Sequence, residues 1–345
     1  MARSRRKGGR RGGSGFAGFL VFVLLLAGVA AGAVAWLVVT PFGPSTETLV
    51  TIAPGTSAAG IARQLEASGV VRTRYVFDLI RAYHHGTLQA GTYRFDHPLP
   101  PTDVYTMIAR GEVYTKTITV PEGANIFDIA ARVEQAGLAT RQAFLAAAQQ
   151  TALIADLDPS AKSLEGYLFP DTYRLSPTAT APQIAAAMVK RFRQAAAQIG
   201  LTQHIHRVVT IASLVERETA IDSERPLVAS VFENRLEKNM PLKTDPSVIY
   251  GLEVTGQWRG AIYASDLTRD TPYNTYLRTG LPPGPVANPG IPSLRAAMDP
   301  AKTSYLYFVA ASLDAQGHSL FATTLDEHNR NVAEYRAAQK KAGER

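Results

Sequence analysis

Two glutamates, Glu216 and Glu218, stand two positions apart in Ile211-Ala212-Ser213-Leu214-Val215-Glu216-Arg217-Glu218-Thr219 and are the residues of this sequence best suited to acid chemistry. Val208, Ile211, Ala212 and Val215 recur at helical spacing, which predicts a helix with a buried apolar stripe. Glu216 follows Ala212 by four positions and lies on or beside that stripe, while Glu218 points roughly 200° away in an ideal helix. A carboxyl group in apolar surroundings at the negative end of a helix is favoured in its protonated form, and a carboxyl protonated near neutral pH can act as a general acid. Glu216 is therefore the expected acid. The competing role is structural, an ion pair with Arg217, Arg225 or Arg235, and helix position alone favours that role.

Three further stretches are rich in Pro, Gly, Tyr, Asn and Asp: Leu164 to Tyr173, Lys243 to Gly251, and Thr271 to Gly290. Such composition makes rigid loops whose ring faces and polar groups suit sugars, although each could equally be a structural turn. Glu165, Tyr167, Asp245, Tyr250, Tyr273, Asn274, Tyr276 and Asn288 are the candidate saccharide contacts there. His204 and His206 form an H-x-H pair, with His318 and His328 elsewhere, but no HExxH helix accompanies them, so no metal site is expected. GxSxG and P-loop patterns are absent, and with no cysteine there is neither a disulfide framework nor thiolate chemistry.

The elements that position these groups follow from composition and periodicity. Of 345 residues, 36 are basic and 29 acidic, a net charge of +7, yet six of the bases precede residue 16; beyond it 30 bases face 29 acids. No domain-sized basic surface remains, so nucleic acid is not an expected partner. Phe16 to Val39 is a run of 24 residues without a charge, which as a helix spans ~36 Å against a hydrocarbon core of ~30 Å. The basic residues before it leave the N-terminus in the cytoplasm and the bulk of the chain outside, with Trp36 an interfacial anchor. A cleaved signal peptide is the alternative, since Ala33-Val34-Ala35 resembles a cleavage site, but its apolar stretch is typically only ~7–15 residues.

A short stalk at Pro41 to Ser45 precedes two stretches that resemble one another at an offset of 68 residues. Pro54-Gly55, Ile61-Ala62, Leu65 and Gly69-Val70 match Glu122-Gly123, Ile129-Ala130, Val133 and Gly137-Leu138. Each reads as a strand, a glycine turn and an amphipathic helix closed by glycine. With a strand at Gly91 to Phe95 and a helix over Thr102 to Arg110, the first stretch resembles the LysM module, a binder of N-acetylated glycans. Later segments are mainly helical: Pro182 to Gly200, then a helix after Asp222 or Ser223 as cap. Strands follow at Tyr305 to Ala311 and Ser319 to Thr323, and a terminal helix opens on a Thr324–Glu327 capping box.

Taken together, Ala212 to Tyr250, Leu164 to Tyr173, Tyr273 to Gly290 and Glu327-His328-Asn329 resemble the YceG-like family of membrane-anchored endolytic murein transglycosylases. The resemblance implies an α+β fold: a basic cytoplasmic tail (1–15), a transmembrane helix (16–39), a stalk (40–48), a small LysM-like α+β subdomain (49–115) and a larger, mainly helical α+β catalytic domain (116–341). It implies a lyase that cleaves the β-1,4 bond between N-acetylmuramic acid and N-acetylglucosamine, leaving 1,6-anhydro ends and terminating glycan elongation, with Glu216 as the acid of the VExET motif. No cofactor is implied. The expected partners are peptidoglycan strands, membrane lipid around one helix, and a peptidoglycan synthase beside nascent strands. The alternative is a non-catalytic membrane-tethered scaffold that binds cell wall and in which Glu216 is structural.

Overall fold

The computed structural model describes residues 14–311 and 317–343, and the chain divides after Thr115 into two units. About half of it is helical with six short strands among the described residues, an α+β fold as the sequence predicts.

The first unit opens with helix α1 (Ser14–Val39), whose Gly18–Val39 portion is long and apolar enough to cross a membrane. After it come β1 (Thr48–Ile52), α2 (Ala58–Ala67), α3 (Arg74–His84), β2 (Gly91–Phe95) and α4 (Pro101–Arg110). Strands β1 and β2 pair antiparallel with Val50 opposite Tyr93. The inward faces of all these elements meet in one small core around Leu65, Phe77, Tyr93, Phe95 and Ile108. Leu37 and Val38, at the end of α1, pack on that core, and α1 touches α3 and α4. The Arg72 guanidinium lies 5.4 Å from the centre of the Trp36 ring and 4.8 Å from that of Phe42. The helices begin and end where local chemistry allows: the Ser57 hydroxyl accepts from Gly60 N at 3.2 Å, and Gly111 closes α4 at φ 68°, a conformation that costs glycine little.

The second unit contains β3 (Lys116–Val120), α5 (Ile126–Gln135), α6 (Arg141–Ala148), β4 (Asp171–Leu175), α7 (Ala181–Ile199), α8 (Ile205–Glu218), α9 (Arg225–Glu237), α10 (Asp245–Val254), α11 (Ala264–Leu267), α12 (Ile291–Met298), β5 (Tyr307–Ala310), β6 (Ser319–Ala322) and α13 (Leu325–Gly343). β3 pairs antiparallel with β4, and β5 with β6. Helix α8 is the axis of the unit, touched by α9, α10 and α12. A half-exposed amphipathic helix is what the stripe predicts, yet every residue from Val208 to Val215 is buried. Its polar side chains are accommodated because Thr210 Oγ1 donates to His206 O, and Ser213 Oγ donates to Thr210 O while accepting from Val286 N. The cap of α9 is Glu224 rather than Asp222 or Ser223; the Asp222 carboxylate is drawn instead to the Arg225 side chain. Thr324 caps α13 by accepting from Glu327 N, but the return bond reaches Thr323 N.

Candidate active site

The last turn of α8 sends its two acids in different directions, as the 200° offset requires. On one side, Glu216 is enclosed, with its side chain 5% exposed. Arg225 Nη1 donates to its Oε1 at 2.7 Å, and Gly290 N donates to its Oε2 at 2.9 Å. Arg225 is equally buried and also donates to Asp222 Oδ1 and Ser293 Oγ. Both oxygens of Glu216 are thus committed to a cation and a backbone amide, the arrangement of an ionised carboxylate fastening α8 to α9 and α12. Glu122, which the sequence reading overlooks, lies against the same glycine: a Cβ on Gly290 would stand 1.8 Å from its Oε1. Desolvation there, reinforced by the charge of Glu216, pushes the Glu122 carboxyl up.

On the other side, Glu218 faces a polar cleft of about 460 Å³. Burial pushes its carboxyl up and the charge of Asp245 adds to this, while a bond from Thr244 Oγ1 at 2.6 Å and the cations of Arg235 and Arg217 oppose it. The other walls of the cleft come from five separate segments. Lys243, Thr244 and Asp245 precede or open α10 and are locked to the next wall: Thr244 N donates to Thr275 Oγ1, and Tyr276 OH donates to Asp245 Oδ1 at 2.7 Å. Arg235 of α9 donates to the carbonyls of Leu242 and Leu306 and lies over the Tyr307 ring. His328 of α13 stacks on the same Tyr307 ring, 5.1 Å between centroids, and Asn329 also lines the cleft. Burial, then Arg235, holds His328 below its ordinary value, so its ring is neutral at pH 7; its Nδ1 is buried without a hydrogen-bond partner among the described residues.

Of the residues expected to touch saccharide, Asp245 and Tyr276 line this cleft. The others serve elsewhere, for reasons of burial. Tyr167 is fully enclosed, its hydroxyl donating to Asp158 Oδ2 at 2.6 Å, and Asn274 spends its amide on Leu267 O and Arg269 O and its Oδ1 on Tyr276 N. Tyr273 is half-buried, packed edge-on against Tyr250. Glu165, Tyr250 and Asn288 form an internal polar knot. Glu165 accepts from Ile126 N and Asn288 Nδ2, Asn288 Oδ1 accepts from Leu168 N, and the Tyr250 hydroxyl bonds Glu165. Desolvation pushes Glu165 up to about 8 and, nearby, Glu253 up to about 7. Glu165, Tyr250 and Asn288 are buried and find their hydrogen-bond partners inside the protein. No cluster of three acidic or imidazole ligands suited to a metal occurs among the described residues.

The profile of the YceG-like family matches residues 50–334. A protein of Bacillus subtilis named endolytic murein transglycosylase is 34% identical over 308 residues, covering 83% of this chain and 84% of the relative. The protein of that name from Streptococcus pneumoniae serotype 2 is 32% identical over 92% of this chain, which spans 64% of the pneumococcal relative. A crystal structure of a YceG-like protein from Listeria monocytogenes superposes with a TM-score of 0.53 at 31% identity, over 83% of this chain and 99% of that one. The matches run through both units, through the two acids of α8 and through every wall of the cleft, and on that extent the chain belongs to the YceG-like family.

Proposed function

We propose that the chain is an endolytic murein transglycosylase, a lyase that cuts the β-1,4 bond between N-acetylmuramic acid and N-acetylglucosamine and leaves 1,6-anhydro ends. The observation that carries this reading is a desolvated carboxyl, Glu218, at the edge of an open polar cleft. The role of acid passes from Glu216 to Glu218 on that geometry: Glu216 has a buried guanidinium as its partner, whereas Glu218 is biased towards its protonated form where substrate can approach. In the reaction Glu218 gives its proton to the departing O4 of N-acetylglucosamine as the bond to C1 breaks. It then takes the proton of the C6 hydroxyl of N-acetylmuramic acid as O6 closes onto C1, so the acid is regenerated and no water is consumed. A pair of acids at glycosidase spacing is not required.

Tyr276, Asp245 and the free Nδ1 of His328 are the cleft groups for saccharide, with the Tyr307–His328 stack as a platform. Within the first unit, residues 49–115 serve as the LysM-like glycan binder, and 116–341 as the catalytic domain. Helix α1 anchors the chain in the cell membrane with the basic tail in the cytoplasm and the catalytic part outside, where a synthase would deliver nascent strands.

The full chain in detergent, incubated with murein and with uncrosslinked strands, should yield anhydro-ended fragments by mass spectrometry. Glu218→Gln should lower their rate by roughly 10²–10⁴ with the fold intact by circular dichroism. Glu216→Gln, where folded, should keep the products. Loss of anhydro ends only in Glu216→Gln would return the acid's role to Glu216, and reducing ends from the wild type would make the enzyme a hydrolase. Sacculus binding without products would favour the non-catalytic tether.

A further inference from the structure

Helix α3 buries Val76, Phe77 and Ile80 in the core of the first unit, but its opposite flank is also apolar. Tyr75, Leu79 and Tyr83 recur every four residues on one face and are 68%, 51% and 81% exposed. Small soluble surfaces rarely place three large apolar or aromatic side chains in one stripe without a partner. The charged residues of α3 stand off the stripe: Asp78 and Arg81 face one another at 3.9 Å, and Arg74 donates back to the Tyr75 hydroxyl at 3.0 Å, capping the end of the row with a cation.

The position of this helix points to what covers it. Arg72, two residues before α3, lies over the Trp36 ring, and Trp36 is three residues before the end of α1, at the depth where an amphipathic ring meets lipid headgroups. Leu37 and Val38 pack on the same core as Phe77, and α1 touches α3 directly. The start of α3 is thereby held at the level of the membrane surface, and its stripe joins two tyrosines, which combine an apolar body with a polar tip, to a leucine. We propose that Tyr75, Leu79 and Tyr83 lie in the headgroup–acyl boundary of the bilayer that α1 spans, making α3 a second, interfacial membrane contact. The proposal rests on α1 as a membrane span.

The sequence has no cysteine, so single cysteines can be spin-labelled without background. The full chain bearing Leu79→Cys or Tyr83→Cys is reconstituted in vesicles of phosphatidylethanolamine and phosphatidylglycerol. Leu25→Cys in α1 is the lipid reference and Gln198→Cys, exposed in the second unit, the aqueous one. The expected result is a collision ratio of oxygen to a water-soluble nickel chelate that is several-fold higher at 79 and 83 than at 198. Equal ratios at 79, 83 and 198, with a lipid-like value at 25, would overturn the interfacial contact while leaving the anchor standing. An aqueous value at 25 would overturn the anchor and the contact together. Labels at 79 and 83 shielded from both reagents would mean a second copy of the chain covers the stripe, and the lipid contact would be wrong.

Discussion

The two units are built on one strand pair used twice. β1–β2 and β3–β4 carry the same Thr-Tyr-Arg in the second strand, place a β-branched residue opposite the tyrosine (Val50 and Tyr93, Ile118 and Tyr173), and join hydroxyls across the pair at 3.0 Å (Thr51 and Thr92, Thr119 and Thr172). In both, the tyrosine hydroxyl donates to the carbonyl four residues earlier, Gln89 or Phe169. The turn after the first strand is where they part. Ala53-Pro54-Gly55 is exposed, and Ser57 caps α2 locally. At the equivalent place Gly123 N donates to Asn288 O, Ala124 O accepts from Asn288 N and Nδ2, and Asn125 both caps α5 and donates to Glu253 Oε2 at 2.6 Å. The same scaffold is therefore autonomous in one copy and wired to distant segments in the other.

The contrast breaks first at Asn288. Asn288→Ala leaves the Leu168 amide unpaired and removes a partner from Glu165, and should cost the second unit about 3–5 kcal/mol in denaturant unfolding, whereas Pro54→Ala in the first unit should stay within about 0.5 kcal/mol. A tolerant Asn288 would mean that the second turn is as independent as the first.

Next comes pH. Glu165 and Glu253 bind a proton more tightly folded, at about 8 and about 7, than in the unfolded chain near 4.5. The folded state then holds more protons than the unfolded one, so their contribution is full below about 4.5 and is lost as pH rises to about 8. The thermal midpoint of the second unit should drop by several degrees over that window, while the first unit, with no buried carboxyl among its described residues, should not share the drop. Glu165→Gln should flatten the slope between about 7 and 8, leave the part due to Glu253, and cost about 2 kcal/mol where its amide meets the N–H of Ile126 or Asn288. The smallest effect tests the likeness itself: Thr51→Val and Thr119→Val should each cost about 0.5 kcal/mol, equally, in the same unfolding measurement.

Much of this was legible because it is periodic. The charge-free run of α1, the stripe of α8 and the 68-residue likeness each repeat a signal over many residues, and short-range backbone geometry converts it directly into an element. The site was legible only down to the segment. Spacing separates Glu216 from Glu218 and even offers Arg225 as a partner, but which acid faces solvent depends on walls brought in by the next helix, α9, and by α10, β5 and α13 much farther along the chain. Tyr167, Asn274 and Asn288 are buried and bonded inside the protein for a related reason. A Pro/Gly-rich loop needs internal donors to satisfy its own backbone, and the amides and hydroxyls that do so are the same residue types that would grip a saccharide.

Phe42 and Leu99 exchange both backbone bonds, N to O at 3.0 and 3.2 Å, so the stretch between α1 and β1 is stitched to the domain beside it and has no slack. A flexible leash would let the first unit sample a volume that grows with its length. Stitched down, that unit travels only as α1 travels, and with α1 as the proposed membrane anchor a bilayer would confine such travel to a plane. On the proposed function, encounter with glycan would then be a two-dimensional search, governed by lateral diffusion and by the density of strands at one fixed height. Lengthening the segment would add reach only after the Phe42–Leu99 stitch is cut, so the height of that search is written into two backbone bonds.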